Sequence, residues 1–313
     1  YGALEAHTRY AGKECTGMDT NYEDIRYEIE NGRARITLAR PKTHNAMTPR
    51  LLEELEHALW EADDNCAVHS VILKGEGLSF CSGYDLTTLG GKKRPGYRTG
   101  RTHDDDIWLI EQSGRRIRTL WEMHKPSIAQ VHGNCLAGGT DLALACDIVI
   151  ASEDARIGFP AARSMGALPN NLWMYHCGPQ WAKRLQLTGD SVTGADAEKI
   201  GLVMKAVPTD VLEDEVEGLA DRFSLIDPDL LSANKRITNL ALELMGAQTL
   251  QRLAGENDAR AHRSQAVRDY GRSIREHGLK ETLRRRDEPF GDGFARVSVP
   301  EGRSDFPRPS EGE

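Results

Sequence analysis

"HGNCLAGGTDLALACD", His132 to Asp147, decides how this chain folds. After Gly138 and Gly139 come Leu142, Ala143, Leu144, Ala145 and Cys146, apolar around the whole circumference of a helix, which marks a buried segment. Asp141 lies in its first turn, where a charge is costly unless something compensates it. A helix N-terminus offers free backbone N–H groups and a partial positive charge, and glycine lets a ligand atom approach that backbone. The pattern suits a developing oxyanion or a phosphate. Taken alone, Gly-Gly before a helix is equally an ordinary tight turn.

Working outward, "ARITL" (34–38) alternates as a strand, and "TPRLLEELEHALWEADDN" (48–65) reads as a helix with Thr48 as N-cap and Pro49 at its first position. Its stripe of Leu51, Leu52, Leu55, Ala58, Leu59 and Ala62 has helical spacing. "SVILKGEG" (70–77) and "DIVIAS" (147–152) read as core strands, "SIAQVHG" (127–133) as a third, and 106–123 as a helix. Strands alternating with helices predict an α/β architecture. Beyond residue 209 the strand signal stops, and 209–225, 228–246 and 248–286 read as helices. Residues 87–105, rich in glycine and basic side chains, read as a surface loop. The chain thus divides into a polar leader (1–20), a mixed core (21–208), a helical region (209–290) and a Pro/Gly/Ser-rich tail (291–313), expected to be disordered or draped over a neighbour.

The chain has 313 residues with a formal charge of -8, which argues against general affinity for nucleic acid or anionic membrane. No apolar run is long enough to span a bilayer, and the first residues lack the hydrophobic stretch of a secretory signal. The six cysteines show neither CxxC nor zinc spacing, so a reduced cytoplasmic compartment and no metal are expected.

A second glycine turn, "FCSGYDL" (80–86), follows the strand 70–74. "RPKTHNAMT" (40–48), this turn, "VHGNCLAGGTDLALACDIVIASEDARIGFP" (131–160) and "LTGDSVTGADAEKIGLVMKAVP" (187–208), in that order, resemble the crotonase (enoyl-CoA hydratase/isomerase) superfamily over roughly residues 22–290. The resemblance implies a ββα spiral core with a helical C-terminal trimerisation region, acyl-CoA substrates, no cofactor beyond that coenzyme A, and homotrimers or dimers of trimers. It also implies an oxyanion hole made by the backbone N–H groups of Tyr84 and Gly138.

Asp141 matches the first of two hydratase glutamates, so its charge would be compensated by the substrate; the competing reading is a helix cap or ion-pair partner. Whether its pKa rises by burial or falls by the helix dipole stays open. At the second glutamate both alignment registers give alanine, Ala161 or Ala162. The later carboxylate of dienoyl-CoA isomerases is replaced by Pro169, Asn170 and Asn171. Arg163 is either within reach of Asp141 or of the acyl pocket, or a solvated surface arginine; His132 is structural or auxiliary, and His176 faces the pocket or, more readily, is a core histidine. Asp85 reads as an N-cap, and Asp147 and Glu153 as structural. Lys42, Lys92, Lys93, Arg94, Arg98 and Arg101 are candidates for CoA phosphates or merely solvated. The expected activity is enoyl-CoA hydration or isomerisation. Thioester or C–C bond hydrolysis, a non-catalytic acyl-CoA binder and an assembly role are the rivals.

Overall fold

A computed structural model describes residues 21–88, 98 and 102–298. Strands β1 (Ile25–Glu30) and β2 (Arg33–Leu38) form a hairpin; α1 (Pro49–Asp64), β3 (Ser70–Gly75), α2 (His103–Glu122), β4 (Ser127–Val131), β5 (Asn134–Leu136) and α3 (Gly138–Ala145) follow. Then come β6 (Ile148–Ser152), β7 (Arg156–Gly158), α4 (Trp173–Thr188), β8 (Ser191–Thr193), α5 (Gly194–Lys199) and β9 (Lys205–Val207). Six strands make one sheet in the order β1-β2-β3-β4-β6-β9, parallel from β2 onward; β5, β7 and β8 make a second. This is the mixed α/β architecture that the alternation of patterns predicted.

Strand periodicity assigns the two faces of the larger sheet. Val71, Leu73, Ala129, Val131, Val149 and Ala151 join the main core with α1 and α3, whereas Ile72, Ile128 and Ile150 meet Leu212, Val216 and Ala220 of α6 (Leu212–Ser224). Both faces are buried, so the strands read as apolar runs. Helix α1 buries the six residues of its predicted stripe and is capped by Thr48, whose hydroxyl accepts from the Leu51 N–H. Helix α3 is buried along its whole length.

The remaining helices are α7 (Pro228–Leu244), α8 (Ala247–Ala261), α9 (Gln265–His277) and α10 (Leu279–Asp287). The single helix expected over 248–286 is therefore three. Ser264 caps α9 through the Val267 N–H, and Gly278, at φ 79°, breaks the chain before α10. A buried lysine ties this region to the core: Lys235 Nζ of α7 pairs with Asp147 at 2.9 Å and donates to the carbonyls of Leu120 and Lys125. Asp147 also accepts from the Ser127 N–H and hydroxyl, the structural role expected of it.

Two expectations are corrected. Gly291–Ser298 does not hang free: Ser191 N donates to Gly293 O and Ala295 N to Ser191 O, so this part of the tail adds to the edge of β8 and buries Ala295. His176 is exposed on α4 rather than part of the core. The leader and residues 299–313 lie outside the described residues.

Candidate active site

The two glycine turns meet face to face. Backbone bonds lace them together: Phe80 N to His132 O, Cys81 N to Asn134 O, and Leu136 N to Cys81 O. The Met47 N–H bonds Gly83 O and the Asp85 N–H bonds Met47 O, which turns the Tyr84 N–H away from Met47. Gly83 sits at φ 103°, and a Cβ there would stand 2.9 Å from Ala137 Cβ and 3.2 Å from Gly138 N. A Cβ on Gly138 would lie 2.6 Å from both the Tyr84 ring and the Met47 methyl. Both glycines are therefore demanded by close approach as well as by the turn. Among the described residues neither the Tyr84 nor the Gly138 N–H has an acceptor. Gly138 opens α3, so its N–H is one that no helix can satisfy internally.

Asp141, one turn into α3, is 1% exposed. Its Oδ2 lies 3.5 Å from Asn170 Nδ2, and its Oδ1 has no partner among the described residues. Burial pushes its pKa well above the ordinary carboxylate range; the Asn170 contact draws it back and the charge of Asp258 raises it further. Desolvation by burial is the largest of these influences. An apolar surround and one neutral amide replace the water that would stabilise the anion.

Asp258 and its partners are what sequence reasoning missed. On α8, Gln251, Gly255, Asp258 and Ala259 are buried, and His262 follows on the same side. Asp258 Oδ1 accepts from the Ala167 N–H at 2.8 Å and faces His262 Nε2 at 3.4 Å, while His262 Nδ1 meets Asp106 Oδ2 of α2 at 3.0 Å. Burial pushes Asp258 up to about 6, against the pull of His262 and the Ala167 N–H. Burial also works against a charged His262, yet its bond to Asp106 and the charge of Asp258 hold its proton above the usual value. The only trace in the sequence is a set of small and polar residues at helical spacing in a charge-rich helix.

The other candidates separate cleanly. Asn170 is buried and touches Asp141. His132 Nε2 bonds Gly77 O at 2.8 Å, a structural contact. Asp85 caps its own turn through the Thr87 N–H and hydroxyl and pairs with Arg40. Arg163 is corrected on both of its readings. Its side chain is 2% exposed, and its guanidinium goes to Asp190 at 2.8 Å, Asp287 at 2.9 Å and the Thr188 carbonyl, with the Phe290 ring stacked on it. It ties α4 and the turn after it to the end of α10 rather than serving Asp141.

Lys42 is exposed in the turn after β2. Lys92, Lys93, Arg94 and Arg101 lie outside the described residues; Arg98 pairs with Asp104 and Asp105 beside Trp108. Burial pushes the thiols of Cys81 and Cys146 to about 12 and raises that of Cys135, so the cysteines around the turns are unsuited to act as nucleophiles. Among the described residues no helix is long and apolar enough to cross a membrane.

Residues 28–290 match the family profile described as enoyl-CoA hydratase/isomerase. A Mycobacterium tuberculosis protein that carries the enoyl-CoA hydratase name EchA13 is 34% identical over 76% of this chain and 80% of its own length. The crystal structure of an enoyl-CoA hydratase from Mycobacterium smegmatis superposes with a TM-score of 0.81 at 35% identity, covering 87% of this chain and 95% of that one. An enoyl-CoA hydratase/isomerase from Xanthobacter autotrophicus Py2 gives 0.80 at 34% identity, with 86% and 99% coverage.

Proposed function

The chain belongs to the enoyl-CoA hydratase/isomerase family, and from that premise we propose that it moves protons at the carbons beside an acyl-CoA thioester, with Asp141 as the group that carries them. The thioester carbonyl would enter the gap between the Tyr84 and Gly138 N–H groups, which have no acceptor among the described residues. Donors already fixed at the site of a developing enolate need no reorganisation as the charge appears, which is usually the largest part of such catalysis.

One carboxylate is enough for a double-bond shift. Ionised Asp141 takes a proton from C2 of a 3-enoyl thioester, the electron pair spreads over the dienolate, and the same proton is returned at C4. An acid whose pKa is raised is a stronger base once ionised, so burial of Asp141 helps the first half of this cycle. Asn170 holds the carboxyl from one side and leaves Oδ1 for the substrate. Hydration of a 2-enoyl thioester is the second reading, favoured by the buried Asp258, whose charge reaches Asp141. There the water oxygen would bond to C3, its proton would pass to a carboxylate, and C2 would be protonated.

The carboxyl oxygen and the two N–H groups that have no partner among the described residues are the observation that carries this reading. Mass spectrometry of wild type and Asp141→Asn against 2-enoyl-, 3-enoyl- and 3-oxoacyl-CoA tests it. Expected is a product from an enoyl thioester that the variant fails to form. Cleavage of the thioester or of a C–C bond, or binding without turnover, would replace it by a hydrolase or a pure binder. The same family membership supports self-association through the C-terminal helices, where Leu230, Ile237, Leu240 and Leu244 of α7 are exposed at helical spacing.

A further inference from the structure

Beside Asn170 lies a cavity of about 390 Å³ between α2 and α8, within the range of small-molecule sites. Asn170 lines this cavity and also touches Asp141, so the cavity adjoins the reacting group. Its walls combine apolar surface with charged side chains. Only Ile110 and Pro169 contribute apolar side chains, whereas Arg115 and Arg118 of α2 and Arg252 of α8 bring three guanidinium groups against the single carboxylate of Glu111. This local excess of positive charge stands against a chain that carries -8 overall.

These cations are poorly neutralised. Arg115 approaches Glu111 and Arg118 approaches Glu122 at 3.8 Å each, beyond hydrogen-bond length, and Arg252 has no anionic partner among the described residues. Arg118 is the most sheltered of those two α2 arginines, its side chain 27% exposed. On the wall, Gln251 is 6% exposed and its Oε1 has no partner among the described residues, although buried amides are normally satisfied. Turned over, that amide presents N–H groups to an acceptor.

We propose that this cavity is the acyl subsite and that it selects acyl groups ending in a carboxylate, the mono-thioesters of unsaturated dicarboxylic acids. The inference rests on the acyl-CoA reading above. A terminal carboxylate would take a forked pair of bonds from a guanidinium, meet the Gln251 amide and relieve the mutual repulsion of the three cations. A methyl-ended chain would leave the buried Gln251 amide and the sheltered Arg118 without a partner, and a site that bonds a polar group rejects an analogue lacking it.

Saturated thioesters, which lack the double bond on which the reaction depends, separate selectivity from turnover. Calorimetric affinities are compared for ω-carboxyacyl-CoA, straight-chain acyl-CoA of equal length and free CoA, in wild type, Arg118→Gln, Arg252→Gln and the double variant. Circular dichroism checks that each is folded. Expected is about a tenfold preference for the carboxylate-ended thioester, equivalent to about 1.4 kcal/mol, that shrinks in each variant and vanishes in the double one. Raised salt should narrow it as well. Equal affinity for the two thioesters in wild type overturns the proposal. So does a loss that is the same for both thioesters and for free CoA, because the arginines would then be holding the coenzyme's phosphates. Failure of every thioester and of CoA to bind would instead remove the acyl-CoA reading beneath it.

Discussion

Asp141 stands between two regions built in opposite ways. On one side, the turns at 81–85 and 137–139 present backbone: their N–H groups are aimed by laced strands, and Gly83 and Gly138 are needed because two pieces of chain nearly touch. On the other, α2 and α8 present side chains, with Gln251 and Asp258 buried between them, His262 beside Asp258 and Arg115 and Arg118 at the rim, from helices far apart in sequence. The first region fixes where an oxyanion would sit. The second fixes the electrostatic surroundings of the acid and the shape and charge of the cavity. Under the proposed function the turns would set the reaction class, and the helical wall the rate, pH response and selectivity.

The largest effect should come where the regions meet. Asp141→Asn keeps the shape and removes the proton carrier, so kcat is expected to fall by about 10²–10⁴-fold with little change in KM. Retention of wild-type kcat would break the assignment. Next is Gly138→Ala, which attacks the backbone side alone: the new methyl meets the Tyr84 ring and Met47. Displacing one N–H donor should lower kcat by about 10²–10³-fold while Asp141 stays intact. A near-normal rate in a folded variant would mean that the turns do not hold the reacting oxygen.

Asp258→Asn probes the helical wall, and its effect is on pH. The carboxyl of Asp258 is pushed from 3.8 to about 6, so across that interval the folded protein keeps a proton that the unfolded chain has lost. Its contribution to stability is full below 3.8 and lost as pH rises through about 6. The asparagine variant lacks this loss, and its stability relative to wild type should grow across the window, by on the order of 1–3 kcal/mol in urea unfolding. Removing the neighbouring charge should also move the acidic limb of kcat/KM to lower pH, since Asp141 would ionise more readily. An unmoved limb would uncouple the two carboxylates. The smallest effect is expected of Thr48→Ala, which loses the α1 cap but leaves the Met47 backbone bonds in place: it should cost about 1 kcal/mol of stability and change kcat less than any variant above.

What could be read from the amino-acid sequence follows the same division. The stripe on α1, the buried α3, the strand–turn pairs and the glycines at 83 and 138 were all visible, because each rests on residues close together in the chain. The helical wall was not: Asp258 and Gln251 resemble solvated residues of a charged helix until α8 is laid against α2. Arg163 was misread for a related reason, since its partners at 190 and 287 come together only through folding.

Local sequence therefore determined the elements, the order of the turns and the carboxylate at their centre, through hydrophobic period, capping and the steric demands of glycine. Tertiary structure alone decided that Asp141 is driven toward its neutral form, that a second buried acid stands near it and that three arginines border the adjoining cavity. Desolvation and charge–charge interaction depend on distances through space, and helices separated by more than a hundred residues acquire those distances only when they pack.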